Sequence, residues 1–594
     1  MKLKNIIITI LTSAAVFVSC QSDLMDTKPY GSVATGNMWK SENLCDKGVL
    51  GIYAELRNSY VGLPGATSME RYSVSTDHRD VTDGLLDGAA TSSTGIFADY
   101  WKQHYEGINR ANDAIENLPN ADVLEDSKKA RLIAESKFLR AYFYYKLNIV
   151  FKGVPIYETN ANLEEYRTRG RSSEADVWAL ILKDLGDAIN EPDLPGRYEA
   201  GSGNFGRVTK SAAYALRGKV YLWMKNWTAA ESDFKQVGTF GHTLYTGAGA
   251  LSYKMLFKEA NEQSPEMIFS VQNIDLDGYG ADWGRSLGNR ISVVNGGWNT
   301  FMINTDFANT YENADGTPFD WSTEIPTWDK KDPVRNIVYF LRDNMTPAEI
   351  DQFTKAGTNM VEYLPEGNEA RIKAIYEKRD PRMLQTMITP YSTVCGAVMS
   401  KDIDYTLRWP YRGYDDKEPY DVRTDTNVRF HYLYRKFVPE STSEYTDRLY
   451  IPIDFPLIRY ADVLLGLAEA LNEQGKTDEA VQYVNMVRSR GGAALLNSNK
   501  ATTVSGQDNM RERIRNERRW EFAGEAVNFY DEIRWKTWHT STKFLNGNGG
   551  HKQIWGEFQY HYTWDPDNRM YTWPIPVTER QINPNLVQNE GWRD

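Results

Sequence analysis

Two segments of the chain repeat one pattern of small and bulky residues, and that pattern restricts how they can pack. In Ala212 to Val237, Gly218 is followed by Tyr221, Ala230 and Phe234; in Tyr460 to Val487, Ala468 is followed by Leu471, Ala480 and Val484. The offsets are identical at three, twelve and sixteen residues. A helix brings residues three or four apart onto one face, so each segment reads as two short helices face to face. The small residues permit close approach and the bulky one wedges between. Lys225-Asn226-Trp227 and Gly475-Lys476-Thr477 fall where the two turns belong.

Such spacing fits the tetratricopeptide helical hairpin. The copies lie more than two hundred residues apart, so they are not a tandem solenoid but separate hairpins brought together by the fold. Further helices are expected over Tyr100 to Leu118, which Pro119 ends, and over Ala130 to Phe151, apolar around much of its circumference. Between Gly278 and Tyr450 the composition turns to Gly, Pro, Asp, Trp and Tyr, which reads as long loops and short strands laid over a helical scaffold. Binding residues usually sit on loops held by a rigid frame.

The amino terminus carries a different signal. Lys2 and Lys4 precede an apolar run from Ile6 to Val18 that ends at Ser19-Cys20. That run is short of the ~20 apolar residues a permanent span needs and reads as a secretory signal. Phe17-Val18-Ser19-Cys20 is similar to a bacterial lipobox, which would make Cys20 the acylated first residue of the mature chain. Phe17 departs from the usual Leu or Val, which leaves ordinary signal cleavage as the alternative.

The 594 residues are 41% hydrophobic and 25% charged, enough for an ample core, and the formal net charge is −12. Without Lys2 and Lys4 the mature chain holds 66 basic against 80 acidic side chains, which makes nucleic acid and anionic headgroups poor partners. With Cys20 acylated, only Cys45 and Cys395 remain, two thiols expected to be unpaired. Aromatic residues reach 13%, with 17 Trp and 36 Tyr. Such side chains suit surfaces that stack flat apolar faces, sugar rings among them, although a large core claims many.

Signs of catalysis are few. The seven histidines show no HExxH or other short metal spacing, and Asp275-Leu276-Asp277-Gly278 lacks the later ligands of a calcium loop. No P-loop occurs, and the glycines from Gly280 to Gly297, the string Gly284-Arg285-Ser286-Leu287-Gly288 among them, lack the strand-then-helix context that a nucleotide fingerprint or a nucleophile elbow needs. A glycosidase pair of carboxylates about 5–9 Å apart has no local signature by which to be found. No metal and no cofactor is expected.

Several motifs together carry a family resemblance that runs nearly end to end. They include Met38-Trp39 and Gly51-Ile52-Tyr53, Ala134 to Tyr142 (AESKFLRAY), Gly153-Val154-Pro155, Ile458 to Leu465 (IRYADVLL) and Ala468 to Asn472 (AEALN). Ile514 to Arg519 (IRNERR), Phe529 to Trp535 (FYDEIRW) and the closing Trp573-Pro574-Ile575-Pro576 to Asn583 to Asn589 (NPNLVQN) follow in order. With these motifs the chain resembles the SusD/RagB outer-membrane nutrient-binding lipoproteins of Bacteroidetes. The resemblance implies a mostly α fold with four tetratricopeptide-like hairpins packed against an irregular, loop-rich ligand-binding region with short strands. It implies no enzyme activity. It implies a lipid-anchored protein on the outer-membrane surface, a hinged lid over a SusC-like TonB-dependent transporter, which captures a glycan and delivers it. A peptide-binding lid of the RagB type and a surface glycoside hydrolase are the alternatives.

The expected layout is a signal over 1–19, a lipidated tether over 20–36 and one body over 37–594. Within that body the helical scaffold covers about 37–270 and 455–540, the binding region about 271–450 and a closing segment 541–594. A glycan site needs aromatic faces with polar side chains beside them. Two segments offer both. One is Arg71-Tyr72 with Asp77, His78, Arg79 and Asp80; the other holds Tyr279, Trp283, Trp298 and Trp321 with Asn295 and Asn299. Trp283 and Trp321 lie in the least patterned loops and lead, whereas Trp298 precedes Phe307 and Asp315 to Pro318, a recurring family segment that gives it a competing structural role. Trp101, Trp223, Trp520, Trp535 and Trp573 belong to helical or terminal signatures and are expected in the core.

Overall fold

The computed structural model describes residues 38–62, 69–80, 83–397, 400–413, 416–424, 428–567 and 569–593. Cys20 and the signal and tether segments lie outside the described residues. The helices begin where the sequence supplies caps, because a side-chain oxygen can satisfy an N–H group that the first turn leaves unpaired. Ser41 opens α1 (Glu42–Ala54), accepting from the Leu44 N–H at 3.3 Å. Ser173 and Asp176 form a capping box at the start of α4 (Glu174–Asn190). Thr209 caps α5 (Lys210–Trp223) and Asn226 caps α6 (Trp227–Gly238).

Between α1 and α4 run α2 (Gly95–Asn117) and α3 (Asp126–Phe151). As its sequence implies, α3 is buried around much of its circumference, and it packs between α2 and α4. The second helical group is α7 (Tyr460–Glu473), α8 (Thr477–Gly491), α9 (Gln507–Glu521) and α10 (Asn528–Trp535). The two repeated segments form the expected hairpins, α5 with α6 and α7 with α8, turning at Lys225 and Gly475, both at positive φ. Phe234 of α6 is the wedge. Its ring lies against Gly218 of α5 and Gly466 of α7, so one side chain joins both hairpins.

Short antiparallel strand pairs tie the loop-rich region to this scaffold. β1 (Thr76–His78) pairs with β3 (Phe301–Ile303), and β2 (Met267–Val271) with β8 (Phe455–Arg459), which runs straight into α7. β4 (Met387–Ile388) pairs with β7 (Leu433–Tyr434), β5 (Thr393–Gly396) with β6 (Ile403–Thr406), and β9 (Gly550–Lys552) with β10 (Phe558–His561). At the β8–α7 junction the buried Arg459 donates to Glu266 at 2.9 Å and to Glu521 and Glu525 at 2.7 Å. Buried charges persist only when paired and hydrogen-bonded, and this cluster ties β8 to α9.

The closing segment docks through Trp573, whose ring centre stands 5.2 Å from Phe97 and 5.1 Å from Tyr100. Trp101, Trp520 and Trp573 are buried as expected, whereas Trp223 and Trp535 are only half-buried. Cys45 and Cys395 are not joined to each other.

Candidate functional site

The pairing of β1 with β3 brings the two proposed binding segments together. Beyond the last pair, His78 with Phe301, the Arg79 N–H donates to the Thr300 carbonyl at 2.8 Å, and the Arg79 guanidinium donates to the Trp298 carbonyl. Arg79 also holds Asp80, which stands 3.7 Å from Arg429.

The loop from 294 to 300 is held tightly. Trp298 N–H donates to the Arg285 carbonyl at 2.8 Å, Asn299 N–H to Gly288 at 3.0 Å and Val294 N–H to Thr446 at 2.9 Å. Asn295 and Asn299 take positive φ, which asparagine tolerates better than most residues, and a side chain at Gly297 would run into the Gly288 backbone. Trp298 is 37% exposed on this frame. The guanidinium carbons of Arg448 and Arg285 stand 5.0 and 5.3 Å from its ring centre. Arg448 donates to the carbonyls of Asn295 at 2.8 Å and Gly296 at 3.1 Å, while the Asn295 amide donates to Asp447 at 2.8 Å.

Tyr279 is 60% exposed, in a turn where Ile274 N–H donates to its carbonyl at 3.1 Å. Thr446 hydroxyl donates to Asp275 at 2.5 Å, so that turn leans on the same 446–450 segment as Asn295. The Tyr450 hydroxyl there is pushed up by the negative charge of Asp447, with Asp275 and Asp277 adding to it.

Five residues named for the site are displaced from this role by burial, Asn299 among them. Trp283 is 1% exposed, with Phe437 and Phe455 at 5.7 and 5.8 Å between ring centres, so neither face is open to a sugar. Trp321 is 6% exposed and stacks on Trp328 at 4.8 Å and 11°, its indole N–H donating to Asn309. An unpatterned loop suggested freedom, but loops this long fold back and make a core of their own. Tyr72 is buried with its hydroxyl on Asp83 at 2.7 Å.

Asp77 is wholly buried and accepts from Tyr562 at 2.8 Å, Asn304 at 2.9 Å, Lys543 at 3.1 Å and His551 at 3.2 Å. Burial alone would raise its pKa. The Lys543 charge and the bond from His551 outweigh that and hold the carboxyl well below the usual range. Asp77 is therefore a structural hub. Arg79, Asn295, Trp298 and Tyr279 remain at the surface.

Arg285 and Arg448 escaped the sequence reading. Arg448 lies 150 residues from Trp298, and no local pattern links the two. An aromatic ring among fixed guanidinium, amide and carboxylate groups is equipped to stack and to donate hydrogen bonds.

A model described as the SusD family matches residues 265–592, and one described as starch-binding associating with outer membrane matches residues 23–222. SusD-like protein P25 of Formosa agariphila is 23% identical over 614 residues, covering all of both chains. Starch-binding protein SusD of Bacteroides thetaiotaomicron is 24% identical over 495 residues, 80% of this chain and 75% of that one. A crystal structure of a SusD-like protein from Bacteroides fragilis superposes with a TM-score of 0.71 at 25% identity, covering 95% of this chain and all of the other. A laminarin-binding SusD-like protein gives 0.58 at 20% identity, covering 93% of this chain and all of the other.

Proposed function

The chain belongs to the SusD family, and on that basis we propose that it is a non-catalytic binding lipoprotein of the outer-membrane surface that captures a glycan at Trp298. It is anchored through Cys20 and passes its ligand, as a hinged lid, to a SusC-like TonB-dependent transporter. The observation that carries the binding role is the Trp298 ring, solvent-reaching on a rigid loop with Arg79, Asn295 and Arg448 around it. A ring of this kind offers large stacking area at low entropic cost, and the charged donors beside it suit hydroxyl groups. Tyr279 supplies a second exposed ring joined to the same segment.

The names of the relatives support a saccharide over a peptide. Starch is in the name of one relative and laminarin in that of another. Affinity electrophoresis of the chain from Gln21 onward, through gels containing a panel of polysaccharides, tests the proposal. Retardation by a glycan, lost in Trp298→Ala, is expected; migration unaffected by every polymer, with capture of oligopeptides instead, would replace the glycan with a peptide ligand. Release of shortened sugars during incubation would contradict the non-catalytic role.

A further inference from the structure

A recess of about 260 Å³ opens between α2 and the closing segment, and it shares no residue with the Trp298 surface. Its wall is aromatic. The ring centres of Trp101 and Tyr105 on α2 stand 5.0 Å apart, those of Tyr157 and Tyr166 stand 4.9 Å apart, and Tyr105 joins the two pairs at 6.0 Å from Tyr157. Trp101, Tyr105 and Tyr157 are each less than a tenth exposed, so these rings line a hollow and do not form a platform. Ile582, itself exposed, continues the apolar wall toward the mouth.

Most polar groups of the recess are engaged within the fold. The Tyr105 hydroxyl donates to the Pro155 carbonyl at 2.7 Å, the Tyr166 hydroxyl to Asn109 at 2.5 Å, and the Asn583 amide to the carbonyls of Tyr166 at 3.0 Å and Arg169 at 2.8 Å. The charges at its edge are matched as well: Lys102 stands 3.9 Å from Glu106, and Arg169, over the Tyr157 ring, pairs with Glu165 at 3.1 Å. Glu579 is the exception. It is half-buried on the short helix Val577–Ile582, and among the described residues nothing donates to its carboxylate or pairs with it. Burial raises its pKa with no cation beside it to offset the effect, and its negative charge reaches the Tyr105 and Tyr157 hydroxyls.

A carboxylate held without a partner among aromatic rings is half of an ion pair, because a charge withdrawn from water is stabilised by an opposite charge. The faces of Trp and Tyr rings also attract cations. We propose that this recess binds an organic cation, an ammonium or guanidinium group on an apolar body, whose charge meets Glu579 while its body packs against Trp101, Tyr157 and Ile582. Ligand pockets of this kind are mostly apolar with a few placed polar groups, and here the one group left over is an anion. The site is separate from the glycan surface and does not depend on it.

The test is isothermal titration calorimetry of the chain from Gln21 onward with three probes: phenethylammonium, its neutral isostere 2-phenylethanol, and a blocked glycyl-lysyl-glycine peptide. At least one of the two cations should bind about tenfold or more tighter than the alcohol. The tighter of the two distinguishes a free amine from the side chain of a polypeptide. Glu579→Gln should lose that preference without lowering the urea midpoint, since the carboxylate holds no contact of the fold, and Trp298→Ala should keep it. Equal affinity for cation and alcohol, cation binding that survives Glu579→Gln, or binding of neither cation overturns the proposal and leaves the glycan reading untouched.

Discussion

The ring of Phe234 fills the space that a side chain at Gly218 would need: a Cβ added there would stand 2.6 Å from the Phe234 Cε1. The same ring lies 2.9 Å from the equivalent point on Gly466. Two helices thus close on one aromatic side chain, and the absence of Cβ atoms sets how near they come.

Gly218→Ala is therefore expected to destabilise the fold. Helix propensity favours alanine by about 1 kcal/mol, and overpacking a fixed ring costs typically 1–3 kcal/mol. We expect the second effect to win by about 1 kcal/mol, read as a lower urea midpoint by circular dichroism. A midpoint raised by the propensity gain would show that Phe234 moves aside freely.

Asp77→Ala is expected to cost about 3–5 kcal/mol, because it strands the buried Lys543 ammonium and removes the acceptor of Tyr562 and Asn304. Protein that does fold should bind glycan as the wild type does. Loss of affinity at unchanged stability, measured on the same preparation, would return Asp77 to the binding surface.

Stability should fall below about pH 6.5. His104 is buried, its Nδ1 sits 2.7 Å from the Tyr100 carbonyl, and its Nε2 has no partner among the described residues. Burial pushes its pKa down to about 3. The unfolded imidazole takes its proton near pH 6.5, so between the two values the unfolded chain binds more protons and stability drops as the pH falls. The contribution is about 1.4 kcal/mol per pH unit. His104→Phe keeps the ring stack on Tyr100, 4.1 Å between centres, and should show a smaller loss of urea midpoint between pH 7 and pH 5. Identical pH slopes for the two proteins would remove His104 from this role.

The helical frame was legible in the chain because its signals are local. The spacing of Gly218, Ala230 and Phe234 records a contact made within one hairpin, and Asn226 marks the turn between its two helices. The surface was legible only in part. Asn295, Trp298 and Tyr279 were picked by residue type and stay exposed, with Arg79 partly buried beside them, but residue type alone also picked Trp283 and Trp321. Trp283 is buried by Phe437 and Phe455, far along the chain, and Trp321 by Trp328 and Phe340, neighbours that close on it only once the loop has folded back. Arg448 could not be found from sequence for the same reason, since what makes it part of the surface is its contact with a ring 150 positions earlier.

The most direct measurement compares three single variants, Trp298→Ala, Trp283→Ala and Trp321→Ala, by affinity electrophoresis against a polysaccharide that retards the wild-type chain, with each midpoint of unfolding recorded alongside. A surface site at Trp298 predicts loss of retardation, about tenfold or more in affinity, with little change in stability for Trp298→Ala, and the reverse for the two buried tryptophans, which should lose about 3–5 kcal/mol of stability. Full retardation of a folded Trp298→Ala protein would contradict it and move the glycan to another face of the molecule.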